Sequence, residues 1–565
     1  MGVVTARGVA GGAMLIGAIT VLARVAGFAK QYAFAQTVGT NCLATAYMTA
    51  NQIPNIVFEV VAGGALAGMV VPVLAGAGAA VRRGGGAGSG GAGRRDVAGE
   101  AAGEAAGDAA ADAARVSWIG SALLTWVVLV LVPLGVLTAL LAGPIVGLLF
   151  GPSLGGCPDV GAVTAVAARM LVVFAPQIPL YGVAVVLYGV LQSHKRFAGP
   201  AVAPLVSSIV VIVAYLLFVP LSGGVSDPAR VPGPAELALS VGTSLGVLSL
   251  VLTVVGPAAR LGLRWRPVLR FPDGVAGQVR RLALAGVAAL LAQQAAMLVV
   301  LVLSNNAIGG AAIAVYNYAW AIYLVPFAVL AVPIATSAFP RLSAQAGDPA
   351  AFAALAARTT RAVVLVSGLA AGVLAAASGP GAVVFLGHKT LVAPAELARA
   401  VALFAPGLIG YGLVAHVSRV LYAAGRGRAV ATGTVLGWVV VMAAQTIFAV
   451  ALPQEWKIGG MALGMSVGMT AGGLLLLGSV VRARGSGAVA GLSRAAAAAA
   501  GGGLLGYLAG DAVVGRLGAQ GWWPNVGAAA LAAVVALAVG AAVVAILDRA
   551  AAAAVTRLLK RGGTE

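Results

Sequence analysis

Apolar runs dominate the chain, and polar residues gather in the short intervals between them. Fourteen stretches are long enough to cross a bilayer: near 8–30, 43–80, 116–142, 162–193, 198–222, 236–258, 280–304, 310–338, 361–386, 397–424, 429–452, 457–481, 493–515 and 524–547. A spanning helix needs about 20 mostly apolar residues. The runs are continuous and lack the period-two alternation of a barrel strand, so the predicted elements are α-helices. The first run follows Arg7 and resembles a signal peptide. Without a small-residue cleavage site after it, it reads as a first membrane helix. The second run is long enough to bend or protrude and contains Pro54 and Pro72. The one long low-complexity interval, 82–114, is Gly and Ala with a few charges and reads as a flexible linker. Its acids Asp96, Glu100, Glu104, Asp108 and Asp112 recur every four residues. On a helix they would align and repel, which favours a solvated segment over a docking stripe.

Composition agrees with a polytopic membrane protein. Of 565 residues, 61% are hydrophobic and only 9% charged, with a mean hydropathy of +1.02. A soluble domain carries about 25% charged residues. A soluble enzyme, a disordered chain and a disulfide scaffold are thereby excluded. The net charge of +19 would suggest nucleic acid on a soluble protein. The placement of the cations gives another reason. With the N-terminus in the cytoplasm, 26 of the 35 Lys and Arg fall in intervals on that side and 6 on the other. Arg24, Arg169 and Arg419 fall inside spans. Cytoplasmic loops are rich in Lys and Arg, so both termini are expected inside, with no nucleic-acid partner and a secondary attraction to anionic lipids.

An internal repeat is visible. Phe174-Ala175-Pro176 with Tyr181-Gly182 recurs as Phe404-Ala405-Pro406 with Tyr411-Gly412, at a constant offset of 230. Val186-Leu187-Tyr188 recurs as Val420-Leu421-Tyr422, one helical turn later. The copies lie six spans apart and point the same way. This predicts two six-helix lobes, 1–260 and 261–484, related by a pseudo-twofold along the membrane normal, then two further helices in 485–565. Transporters so built place the substrate between the halves.

Polar residues inside the spans are few and mark candidate chemistry. Glu59 is the one carboxylate well inside a span. Asn55 and Gln52 share its helix face, and Pro54 frees a carbonyl beside them. Arg24 lies deep in the first span, and Lys30 is placed near its outer end. An anionic-substrate site lined by Arg24, with Glu59 as counter-charge, is one reading; an ion pair locking two helices is the other. Tyr316, Trp320 and Tyr323 form one face of span 8, either packed or lining a cavity. Arg169 and Arg419 read as interfacial anchors, with Arg419 also a gating candidate. Gln293 and Gln294 read as interhelical hydrogen bonds. His194 and His388 fall in loops and His416 stands alone in a span. Cys42 and Cys157 fall in outside loops, where a disulfide is permitted but not required. No nucleotide loop, metal set or catalytic constellation appears, so neither a cofactor nor enzymatic activity is expected.

At the first two spans the chain resembles the MurJ/MviN lipid II flippases of the multidrug/oligosaccharidyl-lipid/polysaccharide (MOP) exporter superfamily. Arg24-Val25-Ala26-Gly27-Phe28-Ala29-Lys30 is similar to their Arg-x-x-Gly-Phe-x-Arg/Lys signature. Ala46-Tyr47, Ile53-Pro54-Asn55, Gly64-Ala65 and Val71-Pro72-Val73-Leu74 resemble the next block. Pro326 with Phe339-Pro340-Arg341-Leu342-Ser343, and Arg419-Val420-Leu421-Tyr422-Ala423, resemble later ones. The resemblance implies flipping of undecaprenyl-pyrophosphoryl-disaccharide-pentapeptide across the bacterial inner membrane by alternating access. It also implies that Arg24 and Lys30 are cavity cations for the pyrophosphate, with Gln52, Asn55 and Glu59 shaping the site. Cell-wall synthesis or division proteins are implied partners. The chain departs from the family pattern at Thr45, Gln52, Glu59 and Trp320-Ala321, where acidic, Lys, Arg and Asp-Arg residues are frequent. The carboxylates proposed to bind sodium have no match in spans 7 and 11. Export of another polyprenyl-linked glycan or a drug, and a transport-inactive scaffold, are the alternatives.

Overall fold

The computed structural model describes residues 6–60, 97–194, 196–262, 265–270, 275–387 and 392–548. Among these it is all helix with short connections and no strand. The amino-terminal helices are α1 (Ala6–Thr37), α2 (Cys42–Glu59), α3 (Val97–Leu140), the short α4 (Ala142–Leu149), α5 (Val160–Phe174), α6 (Gln177–Ser193), α7 (Ala198–Ser222) and α8 (Gly233–Ala259). A connector leads to α9 (Val275–Leu303), α10 (Ala312–Pro326), α11 (Val332–Ala344), α12 (Pro349–Ala376), α13 (Ser378–Leu386), α14 (Pro394–Phe404), α15 (Gly407–Ala423), α16 (Gly427–Ala451) and α17 (Lys457–Arg484). The last two are α18 (Leu492–Leu517) and α19 (Trp522–Leu547), which pack on each other and on α12.

Eleven spans among the described residues are long and apolar enough to cross a membrane, or twelve when the bent pair α14–α15 counts as one. Fourteen were expected; the other two, 8–30 and 43–80, lie partly outside the residues whose side chains are described, and only their parts in α1 and α2 can be placed. The described part of the second, α2, is rich in polar residues: Asn51, Gln52, Asn55 and Glu59. The outward faces carry the apolar surface that lipid would cover, such as Leu148, Val450 and Ile546.

Two expectations change. The interval 82–114 is not one flexible linker. Its part 82–96 lies outside the described residues, but α3 begins at Val97, so 97–114 is helical. Alanine is the strongest helix former, and an Ala-rich stretch can extend a span outward. Lys30 is also not at a helix end, because α1 runs on to Thr37 and leaves it partly buried about two turns inside.

The repeat has a structural counterpart at its prolines. Helix α5 ends at Phe174 and α14 at Phe404, and a new helix starts after Pro176 and after Pro406. Proline lacks an N–H and clashes with the preceding turn. Each break leaves a carbonyl that a serine from a distant helix satisfies. Ser244 Oγ of α8 donates to the Val173 carbonyl at 2.8 Å. Ser466 Oγ of α17 donates to the Leu403 carbonyl at 2.7 Å and accepts the Gly407 N–H at 3.1 Å. Val173 and Leu403 are 230 residues apart, the offset of the sequence repeat. Gly182 and Gly412, also 230 apart, each let a neighbouring helix approach. A Cβ on Gly182 would meet Leu131, and one on Gly412 would lie 2.8 Å from Ser367 Oγ.

The connector after α8 is pinned to α3. The indole N–H groups of Trp118 and Trp126 donate to the carbonyls of Arg270 and Leu269, each at 3.0 Å. In return, the N–H of Arg266 donates to Ser121 Oγ at 3.2 Å and that of Val268 to Thr125 Oγ1 at 3.1 Å. Backbone that leaves helical pairing near lipid must find such partners.

Replacing Ser466 with Ala should cost about 1–3 kcal/mol, because it strands a buried donor and a buried acceptor together. Thermal unfolding of the purified protein should show a lowered midpoint for Ser466→Ala. Ser479→Ala, an exposed hydroxyl bonded within its own helix turn, should stay within about 0.5 kcal/mol of wild type.

Candidate functional site

A cavity of about 320 Å³ lies between the amino-terminal helices and those of the second half. Helix α1 contributes Gln31, and α2 contributes Gln52, Asn55 and Glu59. From the other half come Gln293 and Gln294 of α9, Tyr316, Asn317 and Trp320 of α10, and Trp438 and Gln445 of α16. Seven of these side chains are amides and one is a carboxylate. In a chain this apolar, such a cluster is costly unless it faces water or a polar ligand.

Neighbouring groups orient the amides. Tyr181 donates to Asn55 Oδ1 at 3.2 Å and stacks on Phe58 at 4.3 Å between centroids. That bond uses the Asn55 carbonyl and leaves its NH₂ for the cavity. Gln445 donates to Tyr316 OH at 2.9 Å. Below Trp320 the aromatic wall continues inward, with Tyr323 stacked on Trp320 at 5.3 Å and Phe327 against Tyr411 at 4.4 Å.

The predicted residues divide on this frame. Gln52, Asn55, Glu59, Tyr316 and Trp320 line the cavity. Tyr323 does not, because it is fully buried behind Trp320. Arg24 is exposed and makes no ion pair with Glu59, yet its charge is felt at both Glu59 and Tyr411. It lies seven residues before Gln31, on the same face of α1 and two turns further along. Lys30 is off that face and outside the cavity lining, with no ion-pair partner among the described residues. Arg419 is also outside it and donates to the Ala415 carbonyl of its own helix at 2.6 Å. Arg169 is bound to Glu236 across α5 and α8 at 2.7 Å, rather than standing as a free anchor. His416 shares a hydrogen bond with Thr359 Oγ1 at 3.0 Å and so is not alone.

Gln293 and Gln294 are corrected as well. They form no interhelical hydrogen bond among the described residues and instead face the cavity. Gln31, Asn317, Trp438 and Gln445 were not singled out in the sequence. Gln31 was findable, since it repeats the Arg24 face. The others depend on how α10 and α16 turn toward the first half. Among the described residues no three His, Cys, Asp or Glu side chains converge as a metal site would require.

One end of the cavity is shut. The N–H of Gly310 donates to the Gly155 carbonyl at 2.6 Å, and that of Ala311 to Thr45 Oγ1 at 2.7 Å. Asn305 Nδ2 donates to Thr49 Oγ1 at 3.2 Å and Asn306 Nδ2 to the Leu149 carbonyl at 3.2 Å. Tyr318 OH donates to the Gly39 carbonyl at 3.1 Å and Gln36 Nε2 to that of Phe385 at 2.9 Å. Every one of these bonds joins the amino-terminal helices to the second half. At the same end a disulfide links Cys42 to Cys157, with Cα atoms 5.8 Å apart. It ties the start of α2 to the loop that carries Gly155.

The model of the lipid II flippase MurJ family matches residues 34–501. The chain belongs to that family. Among solved structures, a lipid II flippase MurJ in an inward closed conformation aligns with a TM-score of 0.67 at 17% identity, covering 95% of this chain and 99% of that one. An inward-facing multidrug resistance MATE family transporter of the MOP superfamily aligns with a TM-score of 0.59 at 15% identity, covering 81% and 94%. The fold is therefore that of the MOP superfamily, and the chain is a multi-pass membrane protein. In this MurJ-family member Thr45 is a bonding partner in the closed end. Glu59 puts a carboxylate into the cavity wall.

The chain has only two cysteines. Denatured without reductant, it should take up no maleimide; after reduction it should take up two, as read by intact mass. Uptake of two labels without reductant would contradict the Cys42–Cys157 bond.

Proposed function

We propose that this chain flips lipid II, carrying the headgroup of the lipid-linked peptidoglycan precursor through the central cavity by alternating access. The observation that carries this reading is a polar, amide-lined cavity between the halves of a MurJ-family chain, closed at one end by hydrogen bonds that join those halves. The closed end is taken as extracytoplasmic, because the Lys and Arg of the loops gather at the other, which also puts both termini in the cytoplasm. The two lobes, 1–260 and 261–484, would rock against each other, with 485–565 riding on the second.

The chemistry follows from the substrate. Sugar hydroxyls, acetamido groups and peptide amides are neutral donors and acceptors, and the Gln and Asn side chains offer both. Trp320 and Trp438 give flat apolar faces for sugar rings. Pyrophosphate is an anion and calls for a cation, which Arg24 provides on α1; Lys30, on another face of that helix, would join it only if α1 turns as the halves part. Glu59 balances Arg24 while no anion is bound. About 320 Å³ is at the low end for a ligand pocket and too small for a disaccharide-pentapeptide. Entry therefore requires α1 and α2 to part from the second half at the cytoplasmic end, while the hydrogen bonds at the closed end hold. Export then requires those bonds to break. Reaction partners beyond the lipid would be other proteins of cell-wall synthesis or division.

Wild-type chain expressed in a flippase-depleted strain should restore growth. Arg24→Ala should abolish rescue at equal membrane abundance, and Arg24→Lys should restore it in part. Failure of the wild type to rescue despite membrane expression would remove the flippase reading; full rescue by Arg24→Ala would remove Arg24 from the site.

A further inference from the structure

A second concavity, about 380 Å³, shares α16 and α17 with the central one but none of its lining residues. It lies where α16 begins and α17 ends, at the end of the molecule opposite the disulfide. Arg426, Arg428 and Arg482 line it with Thr432 and Ser479, and no carboxylate does. All three arginines are exposed, and none is in an ion pair with a described carboxylate. Arg482 is braced by its own helix, through Gly478 O at 3.3 Å and Ser479 Oγ at 3.4 Å. The first turn of α16 contains no acidic residue, so its positive end adds to the same field.

The walls are built rather than incidental. Glycines hold α16 and α17 together below the groove: a Cβ on Gly437 would come 3.0 Å from Gly472 Cα. The contact keeps the arginines of the two helices on facing rims. Below the rims the surface turns apolar, with Leu436 45% and Leu475 40% exposed. A basic rim above an exposed apolar slot matches one kind of molecule, with an anionic head and hydrocarbon tails.

We infer that the α16–α17 groove binds the phosphate headgroup of an anionic phospholipid, its acyl chains lying along the slot. Arginine suits a phosphate because its planar fork donates two hydrogen bonds at once. A water-borne phosphate would meet the same arginines, but the apolar slot would give it nothing. The site is separate from the transport cavity and does not depend on the flippase reading.

The test is native mass spectrometry of the full chain from nanodiscs containing phosphatidylglycerol or phosphatidylcholine. Wild type should retain phosphatidylglycerol and lose phosphatidylcholine. The variant Arg426→Gln/Arg428→Gln/Arg482→Gln should retain phosphatidylglycerol about a hundredfold less, since each basic residue near an anionic headgroup is worth about 1 kcal/mol, or about fivefold. Arg428→Gln alone should lose about fivefold, which keeps the test valid if the triple variant misfolds. A control of equal charge loss, Arg260→Gln/Arg341→Gln/Arg358→Gln, should retain it as wild type does. Equal loss in the control would show diffuse attraction and overturn the groove. Undiminished retention by the groove variants would do the same. Displacement of phosphatidylglycerol by excess inorganic phosphate would overturn the lipid assignment in favour of a water-borne anion.

Discussion

Everything in this structure depends on satisfying backbone polar groups where no water can reach them. A straight helix does so by itself, but a transporter cannot be built from straight helices alone. The breaks after Phe174 and Phe404 are where the chain departs from the rule, and a serine hydroxyl repairs each departure. Ser466 is the clearest case. It takes the place of the missing bond between the Gly407 N–H and the Leu403 carbonyl, one oxygen serving as acceptor and donor together. Ser244 does half of this at Val173 and receives the Gln177 side chain at 3.0 Å. A bent span thus stays fully bonded only while its partner helix is in place. Bending and packing are then one event, which lets a half move as a unit.

Much of this was legible in the sequence. The apolar runs predicted twelve of the spans close to where they lie, and the Phe-Ala-Pro repeat marked both breaks. The serines were not legible, because a serine within an apolar helix most often bonds to its own preceding turn, as Ser208 and Thr360 do here. Only the crossing of α17 over the break singles out Ser466. The site was legible on α1 and α2, where Glu59, Asn55 and Gln52 share a face by spacing alone. It was illegible on α10 and α16, since the direction in which Asn317 or Gln445 points is set by tertiary packing. Lys30 was misplaced for a simpler reason. Its charge suggested a helix end, but polar residues such as Gln31 and Gln36 continue α1 beyond it.

The closed end follows a different logic from the core. Its bonds run from backbone N–H groups and amide side chains to carbonyls and threonines, and aromatic contacts back them, with the Phe385 ring 5.7 Å from that of Phe28 and 5.6 Å from that of Tyr32. Gly309 and Ala311 both adopt positive φ, 126° and 70°, which turns the Gly310 and Ala311 N–H groups toward the other half. The disulfide lies within the amino-terminal half and joins nothing across the gap. Its effect is to hold the Gly155 loop against α2, so that the loop meets Gly310 as part of one rigid edge. Such a closure owes its register to the hydrogen bonds. Each bond can be exchanged for water when the halves part, and each is remade only in one register.

Charge is arranged with the same economy. Two opposite charges near the cavity, Arg24 and Glu59, feel each other without touching. A tight pair there would be strongly held in a low dielectric and would resist any anion. A lone Arg24 would instead bind an anion too firmly to release it. Keeping the carboxylate near but unpaired lowers the cost of an empty cavity, and the arginine remains available. The amides around them complete the balance, since they can meet a neutral sugar or peptide without demanding a counter-charge. Under the proposed flippase reading, such a balance suits a ligand whose anionic part is small and lies at one edge, with a larger neutral polar part beside it.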